Sequence, residues 1–234
     1  MRSLSPDLRF ALRSLVSQRT VTIVAVTTLA LSIGITTAVF SVVNGVVLRP
    51  LPFANPDRLV ALCEVDRSEK TDWCGASVPD VYDIARRVPD IAVAGVARSW
   101  PFMMRTKDGA ESVKGGLATA EAFRALGIAP LAGRLIAPDD IGSNWRRVIV
   151  LSNAVWRTRF GGRRDVIGQA ITLDDEPHTI VGVLPPNVAL PQLEDVEMWR
   201  PVHVDPWDEQ RRDWRGFLAF ARLADGASLD RTQQ

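Results

Sequence analysis

The residues in this chain that could carry out chemistry are few. The chain has two histidines, His178 and His203, and neither has neighbouring Cys, Asp or Glu residues at a spacing typical of a metal site. The acidic run at residues 174–176 (DDE) could bind a cation or act as general acid and base, and it lies close to His178. The same run between two strand-like segments is also typical of a tight turn, with His178 as a strand residue. The turn is the interpretation that the sequence favours.

Motifs of the common catalytic and nucleotide-binding sites are missing from the sequence. No HExxH, GxSxG or GxxxxGK[ST] pattern occurs. We therefore expect that the chain is not an enzyme, that it does not bind ATP through a phosphate loop, and that it holds neither a cofactor nor a metal. A membrane-anchored extracytoplasmic enzyme is the alternative. It requires one pocket that joins His178 to Asp174 or Asp175.

The two cysteines, Cys63 and Cys74, could form a disulfide that closes a short loop. An oxidising compartment permits such a bond. Both thiols could instead remain free, with Cys63 buried in a strand. The sequence gives no Cα–Cα distance, so both possibilities stay open.

The charge distribution divides the chain into three parts. The net charge of +1 and the mean hydropathy of +0.05 are those of an ordinary soluble protein. However, residues 1–20 carry +3, residues 21–48 carry no charge, and the rest of the chain sums to −2. No basic run points to a nucleic-acid partner. The pattern is typical of a domain that one helix tethers to a lipid bilayer.

The uncharged block at residues 21–48 predicts a transmembrane helix. At about 1.5 Å per residue it reaches roughly 42 Å, more than the ~30 Å hydrocarbon core. A cleaved signal peptide is disfavoured because its apolar region is shorter, about 7–15 residues. A core helix of a soluble protein is disfavoured because this block is hydrophobic all the way round.

The basic flank, residues 1–20, is expected in the cytoplasm, with a short interfacial helix at residues 7–17. The body, residues 53–234, is then outside. In a bacterium we therefore expect a single-pass protein of the plasma (inner) membrane with a periplasmic or extracellular body.

Small residues recur along one side of this predicted span. They form a candidate helix-packing face that consists of Ala30, Gly34, Ala38, Ser41 and Gly45. Small side chains let the backbones of neighbouring membrane helices approach closely, so this face predicts that the helix packs against other helices. The alternative is that small residues are simply common in membrane helices.

The body has a mixture of strand-like and helix-like segments, which predicts an α+β domain. Strands are predicted at residues 59–65, 91–98, 102–106, 112–117, 148–151, 171–173, 179–184 and 217–223, and helices at 80–87, 119–126 and 153–160. All seven tryptophans lie in the body. Most are expected in the core or in packing between domains, and exposed ones would mark a surface for a partner or ligand.

Several segments together resemble the permeases of MacB/FtsX-type ABC transporters, and among these the group called duplicated orphan permeases. The matching segments include DLRFALRSL at 7–15, TLALSIGI at 28–35, TAVFSVVN at 37–44, LRPLP at 48–52, NPDRLV at 55–60, SVPD at 77–80, LGIAP at 126–130, RFGG at 159–162 and TIVGVLPP at 179–186. No single motif is diagnostic. They occur in order and at fitting spacings over nearly the whole chain.

The resemblance implies one N-terminal transmembrane helix followed by a mixed α/β MacB-like periplasmic core domain at residues 53–234. It implies a non-catalytic permease component for export, efflux or mechanotransmission. The expected partners are other permease transmembrane helices and a separate cytoplasmic ABC ATPase. Since the family's core domain continues further and returns to the membrane, the chain is expected to be a fragment. A singly anchored binding or sensor module is the alternative function.

Overall fold

The computed structural model describes residues 17–43, 53–66, 71–141, 145–188, 190–203 and 212–228. The chain forms two compact units, Met1–Leu51 and Pro52–Gln234. The first unit contains a long apolar helix, and the second contains the sheet-rich body.

The uncharged block forms one continuous helix, α1, at Arg19–Val43. Its stretch Arg19–Ser41 has a mean hydropathy of 2.1, and its described side chains are almost all exposed. The hydroxyls of Thr28, Ser32 and Thr36 donate to the carbonyl oxygens four residues earlier, at 2.8–2.9 Å. These bonds satisfy the polar side chains within the helix itself. By length and composition, α1 can cross a membrane.

Three of the sequence predictions for this unit lie outside the described residues. They are the interfacial helix over residues 7–16, the end of the predicted span at residues 44–48, and Gly45 of the candidate packing face.

The body combines short strands with short helices. Its helices are α2 (Val78–Arg87), α3 (Ala120–Leu126) and α4 (Asn153–Phe160), with 3-10 turns at Pro56–Arg58, Pro138–Asp140 and Arg164–Val166. Its strands are β1 (Leu59–Leu62), β2 (Glu64–Asp66), β3 (Thr71–Trp73), β4 (Ile91–Ser99), β5 (Phe102–Thr106), β6 (Gly109–Val113), β7 (Gly115–Ala118), β8 (Ala132–Gly133), β9 (Val148–Leu151), β10 (Ala170–Leu173), β11 (Glu176–Val183), β12 (Met198–Pro201) and β13 (Leu218–Leu223).

Eleven of the described strands form one mixed sheet. Its order is β1-β13-β4-β7-β12-β9-β11-β10-β5-β6, with β8 paired to β11, while β2 and β3 form a separate pair. The β9–β11 and β7–β12 pairs are parallel. The other pairs are antiparallel. The α+β class predicted from the sequence is confirmed.

Helices cover both faces of the central strands β4 and β13. Successive strand residues point to opposite faces. Ala219 and Ala221 accordingly pack in the core cluster of α2, whereas Phe220 packs in that of α3. A third cluster joins α4 to strands β5, β6 and β9–β12. Small residues on β4 and β13 give the helices room to approach.

The closest of these approaches is at Gly95 on β4. A Cβ atom built on Gly95 would lie 2.1 Å from the backbone nitrogen of Ala122 in α3. Thr119, just before α3, fastens the helix to the same strand: its backbone N–H donates to Val96 O at 3.0 Å, and its hydroxyl accepts from Val96 N at 3.1 Å. Thr119 is therefore not the side-chain cap that its position suggests, because its hydroxyl is engaged by the sheet.

The outer edge of the sheet brings together the two ends of the described body. Strand β1 is antiparallel to β13, so Leu59 is opposite Arg222. Arg58 donates through Nε to Leu223 O at 3.0 Å and forms an ion pair with Asp225. Arg222 donates in the opposite direction, to Asn55 O at 3.2 Å. The two arginines thus join the segment just before β1 to the end of β13 and the residues that follow it.

Two predicted strands are each divided in the structure. The segment 59–65 breaks at Cys63 into β1 and β2, which belong to different sheets, and the segment 112–117 breaks at Lys114 into β6 and β7. The two halves of the second segment pair with different neighbours, β6 with β5 and β7 with β4 and β12. Phe102 and Trp199 occupy the space where the Cβ atoms of Gly115 and Gly116 at the start of β7 would lie. Strand β12 was not predicted, since its sequence MWRP shows no alternation.

The tryptophan side chains that the structure describes range from the core to the surface. Trp199 is buried, Trp145 and Trp156 are half-buried, and Trp100 and Trp214 are exposed. The side chains of Trp73 and Trp207 lie outside the described part of the chain.

We expect Gly95→Ala to destabilise the body by about 2–3 kcal/mol, because the added methyl group meets the backbone of α3, which cannot rotate away. For a domain of this size that is roughly 4–10 °C in the melting temperature. Near-UV circular dichroism of the full chain in detergent measures it. Ala92→Val, at an exposed position on the same strand, is the matched control and should melt with the wild type. A Gly95→Ala variant that melts with the control would contradict this packing.

Candidate functional site

The candidate packing face on α1 is exposed over its described part. Ala30, Gly34 and Ala38 lie on one side of a shallow groove, which is bordered by Val26, Thr27, Leu31 and Ile35. A Cβ atom added at Gly34 would meet no atom within 4 Å. Thus no contact with the described residues requires a glycine at that position. Ser41 is also exposed.

The acidic run forms the two-residue turn that the sequence favoured. Asp174 and Asp175 both have positive φ, 50° and 64°, as the preferred hairpin turns require. Asp174 also fastens the turn to β5: its backbone N–H donates to Met103 O at 2.8 Å, and its Oδ1 accepts from Met103 N at 2.9 Å. These bonds join the β10–β11 hairpin to the neighbouring strand.

Arginines neutralise each carboxylate of this turn. Arg200 Nη1 lies 3.3 Å from Asp174 Oδ2, and Arg105 pairs with Asp175. Glu176 accepts two hydrogen bonds from Arg147, at 2.6 and 2.8 Å, which lower the pKa of Glu176. Because these oxygens already have cationic partners, they are poorly suited to bind a metal ion.

His178 is fully buried in β11. Its Nδ1 lies 3.0 Å from Glu176 O, and its ring makes an edge-to-face contact with Trp145, with centroids 6.2 Å apart. Burial lowers the pKa of His178, and the nearby charge of Arg200 acts in the same direction, while the hydrogen bond to Glu176 O opposes them. The structure thus places His178 in the core as a neutral strand residue.

The described residues contain no group of three or more His, Cys, Asp or Glu side chains arranged to hold a metal. The structure does not bring Asp174 or Asp175 into a shared pocket with His178, because their side chains are held by Met103, Arg200 and Arg105. The pocket that the alternative enzyme requires is therefore not formed by the residues on which it depended.

A second acidic pair, Asp139 and Asp140, lies on a 3-10 turn. Asp140 is buried and accepts from Arg134 Nη2 at 2.9 Å and from the backbone N–H of Ala137 at 2.9 Å. The hydrogen bond to Asp140 raises the pKa of Arg134. This carboxylate stabilises the loop between β8 and β9, and both of its oxygens already accept hydrogen bonds.

Cys63 and Cys74 are joined by a disulfide. The bond connects the residue between β1 and β2 to the residue just after β3, so it closes the β2–β3 hairpin. A cross-link of this kind fits an oxidising compartment.

The structure also reveals an arginine that the sequence did not single out. Arg98, at the end of β4, has its guanidinium carbon 4.7 Å from the ring centroid of Trp100 and 4.7 Å from that of Trp214. Because Trp214 is more than a hundred positions away in sequence, no local pattern could have identified this cluster. The one available signal was the expectation that exposed tryptophans mark a partner surface.

Acidification should reduce the stability of the body through His178. The histidine is neutral in the folded state with a lowered pKa, whereas in the unfolded chain it titrates near pH 6.5. The contribution of neutral His178 to the free energy of unfolding is complete above that pH. It is lost as the pH falls below it, because the histidine of the unfolded chain then binds a proton that the folded state does not bind. The loss is up to ~1.4 kcal/mol per pH unit.

Thermal melts of the full chain at pH 7.5 and pH 5.5 measure this effect. His178→Gln should reduce the difference between the two melting temperatures. His203→Gln, which changes the exposed histidine, is the control and should keep that difference. Equal pH dependence in wild type and His178→Gln would contradict the assignment.

Reduction should also destabilise the body. A disulfide that spans eleven positions restricts the unfolded chain and contributes about 2–3 kcal/mol. We expect dithiothreitol to lower the melting temperature of the wild type and to leave that of a Cys63→Ala/Cys74→Ala variant unchanged. Intact mass analysis after alkylation without reductant should find no modified thiol in the wild type. Two alkylated cysteines would show that the bond does not form.

Comparison with known proteins assigns the family. The family model of the MacB-like periplasmic core domain matches residues 22–234, which include most of α1 and the body. None of the curated proteins compared with the chain matches it.

Solved structures of three related domains have the same fold. A domain of a protein assigned as a permease in Porphyromonas gingivalis aligns with a TM-score of 0.57 at 21% identity, over 76% of this chain and 81% of that one. The extracellular domain of the noncanonic ABC-type transporter YknZ from Gram-positive bacteria aligns at 0.53 and 12% identity, over 75% and 87%. The periplasmic region of MacB from Actinobacillus actinomycetemcomitans aligns at 0.54 and 11% identity, over 75% and 78%.

These alignments agree with the α+β architecture derived above, and the resemblance seen in the sequence is confirmed at the level of the family. The match to the family model runs without interruption from the apolar helix through the body. The chain therefore belongs to the family of the MacB-like periplasmic core domain, the extracytoplasmic domain of ABC transporter permeases.

Proposed function

We propose that this chain is a permease component of an ABC-type export or mechanotransmission system. Its body lies outside the cytoplasm, and a separate cytoplasmic ATPase supplies the energy for its movement. The observation that carries the proposal is the single family match over residues 22–234, which joins a helix able to span a membrane to a periplasmic core domain. The chain itself then transmits movement and performs no catalysis.

The charges and the disulfide support the orientation. The basic flank of residues 1–20 favours a cytoplasmic N-terminus. The Cys63–Cys74 bond favours an oxidising compartment for the body. Both observations are consistent with a periplasmic or extracellular body on a plasma (inner) membrane anchor.

The exposed small residues of α1 support a partnership within the membrane. Ala30, Gly34 and Ala38 line a groove, and a Cβ atom at Gly34 would meet none of the described residues, so a second helix can place its backbone there. We propose that transmembrane helices of sibling permease subunits occupy this face, continued by Ser41 and Gly45.

The polar groups of the body support a non-catalytic role. His178 is enclosed in the core, and the carboxylates nearest to it in sequence are bound by arginines or by backbone N–H groups. Groups held in this way stabilise the hairpin and are not available as a general acid, a general base or a nucleophile.

Replacing the small residues of this face with large ones should break the assembly. We expect Gly34→Leu/Ala38→Leu to reduce association with sibling permease helices, because the leucines prevent close backbone contact. The expected loss is about 1–2 kcal/mol, or roughly five- to thirtyfold in the association constant. The measurement is quantitative mass spectrometry of ABC ATPase and permease subunits that co-purify with the tagged full chain from membranes of its source bacterium.

Ser32→Leu/Thr36→Leu is the matched control, since it places two leucines at the same spacing on the opposite side of α1. It should leave co-purification unchanged. Equal recovery with both double variants would contradict the packing face. A chain that never co-purifies with an ABC ATPase would contradict the coupling and favour a singly anchored module.

A further inference from the structure

One cation in the body is enclosed by aromatic rings instead of being paired with a carboxylate. The Arg98 guanidinium lies between the indoles of Trp100 and Trp214, with its central carbon 4.7 Å from each ring centroid. Phe217 closes the base of the cluster, 5.5 Å from the same carbon. Trp214 and Phe217 meet edge to face, with centroids 5.3 Å apart. We call these four residues the Arg98 cluster.

The hydrogen-bonding capacity of Arg98 is largely unused. Its Nε and Nη1 atoms are buried and have no hydrogen-bond partner among the described residues, while Nη2 retains access to the surface. Burial lowers the pKa of Arg98. Buried polar groups are almost always satisfied, so an unsatisfied guanidinium is an unusual feature that requires an explanation.

Other arginines in the described body show what Arg98 lacks. Arg105, on the next strand, pairs with Asp175, and Arg212 pairs with both Asp80 and Asp83. Aromatic faces stabilise a guanidinium but give it no acceptor for its N–H groups. The Arg98 cluster is therefore complementary to a carboxylate that the described residues do not supply.

The walls of the cluster have the composition of a binding site. Trp100 is 42% exposed and Trp214 is 39% exposed, although each could bury a large apolar area. Trp and Arg are the residues most enriched where protein partners bind most strongly. Apolar walls also reduce the dielectric screening around a cation, so a carboxylate gains more here than on an open surface.

The backbone holds this arrangement in place before any partner binds. Trp100 N donates to Gly115 O at 2.9 Å, which continues the pairing of β4 with β7. At Gly216 a Cβ atom would lie 3.2 Å from the Trp214 indole and 3.3 Å from Arg98 Nη1. A larger residue would contact both the Trp214 ring and the cation, so the chain is closely packed on this side of the cluster.

We propose that the Arg98 cluster is a docking site for a protein segment that presents a carboxylate flanked by apolar side chains. The carboxylate binds Arg98 at Nη2, and the apolar neighbours cover Trp100 and Trp214. The inference goes beyond the proposed transport function, because it rests on the surface of the body alone and needs neither an ATPase nor a second permease helix.

Indole NMR of the full chain in detergent micelles tests the site. The seven tryptophan side chains are labelled with ¹⁵N, and the signals of the two exposed indoles are assigned with Trp100→Phe and Trp214→Phe. The probes are the peptide acetyl-Leu-Pro-Glu-Val-Leu-amide and its counterpart with Gln in place of Glu. We expect the Glu peptide to shift both signals and to bind about tenfold more tightly than the Gln peptide.

Arg98→Met removes the charge and keeps the length of the side chain, so it should abolish the preference for Glu. Arg105→Met removes an exposed arginine from β5, the next strand along the chain, and should leave the preference unchanged. Arg98→Met should also melt close to the wild-type temperature, because losing the contacts with the aromatic rings is offset by removing two buried N–H groups that lack acceptors. Should Arg98→Met fail to fold, Arg98→Lys replaces it. A lysine keeps the charge but loses the planar stacking, so it should retain a preference for Glu while binding the Glu peptide more weakly than the wild type.

Three results would overturn the proposal. One is equal binding of the Glu and Gln peptides. Another is the absence of any shift in the Trp100 and Trp214 signals at millimolar peptide. The third is a response of these signals to chitobiose but not to the Glu peptide, which would make the cluster a sugar platform. A failure here leaves the co-purification result untouched, so the two proposals can fail separately.

Discussion

The contact between β4 and α3 is the constraint on which the body depends. Strand β4 lies between β13 and β7, and helices pack on both of its faces. A strand that is covered on both faces needs apolar side chains on each face, and small ones where a helix approaches closely. Gly95 faces the backbone of α3, and Thr119 joins the two elements through both its backbone and its side chain. Once this contact is fixed, the position of β13 and the edge strand β1 follow from the ladder.

Local chemistry explains what could be predicted from the sequence. Ser77 and Ser152 each accept a hydrogen bond from the first turn of a helix, and Gly127 and Gly161 end helices in the left-handed conformation. The turn at Asp174 and Asp175 was likewise visible as an acidic pair between two strand-like segments. Signals of this kind act over a few residues, so they can be identified in the sequence without knowledge of the fold.

What could not be predicted depends on contacts between distant parts of the chain. The break at Lys114 separates two halves that belong to different parts of the sheet, and Phe102 and Trp199 fill the space above the two glycines that follow it. The two halves of that segment then join different neighbours: β6 pairs with β5, and β7 pairs with β4 and β12. Hydrophobicity placed the tryptophans in the core, but Trp100 and Trp214 are exposed beside a cation. For the candidate sites, residue type and spacing could identify the face on α1, while the Arg98 cluster required the three-dimensional structure.

The antiparallel pairing of β1 with β13 has a mechanical consequence. Because Leu59 is opposite Arg222, the segments before β1 and after β13 leave the sheet at the same end. A tensile force that separates these two segments peels the ladder open one hydrogen bond at a time instead of shearing all of its bonds together. Arg58 and Arg222 lie at the point where peeling begins, and they bind across it in both directions. Resistance to load at this edge is therefore concentrated in two side chains rather than in the length of the strands.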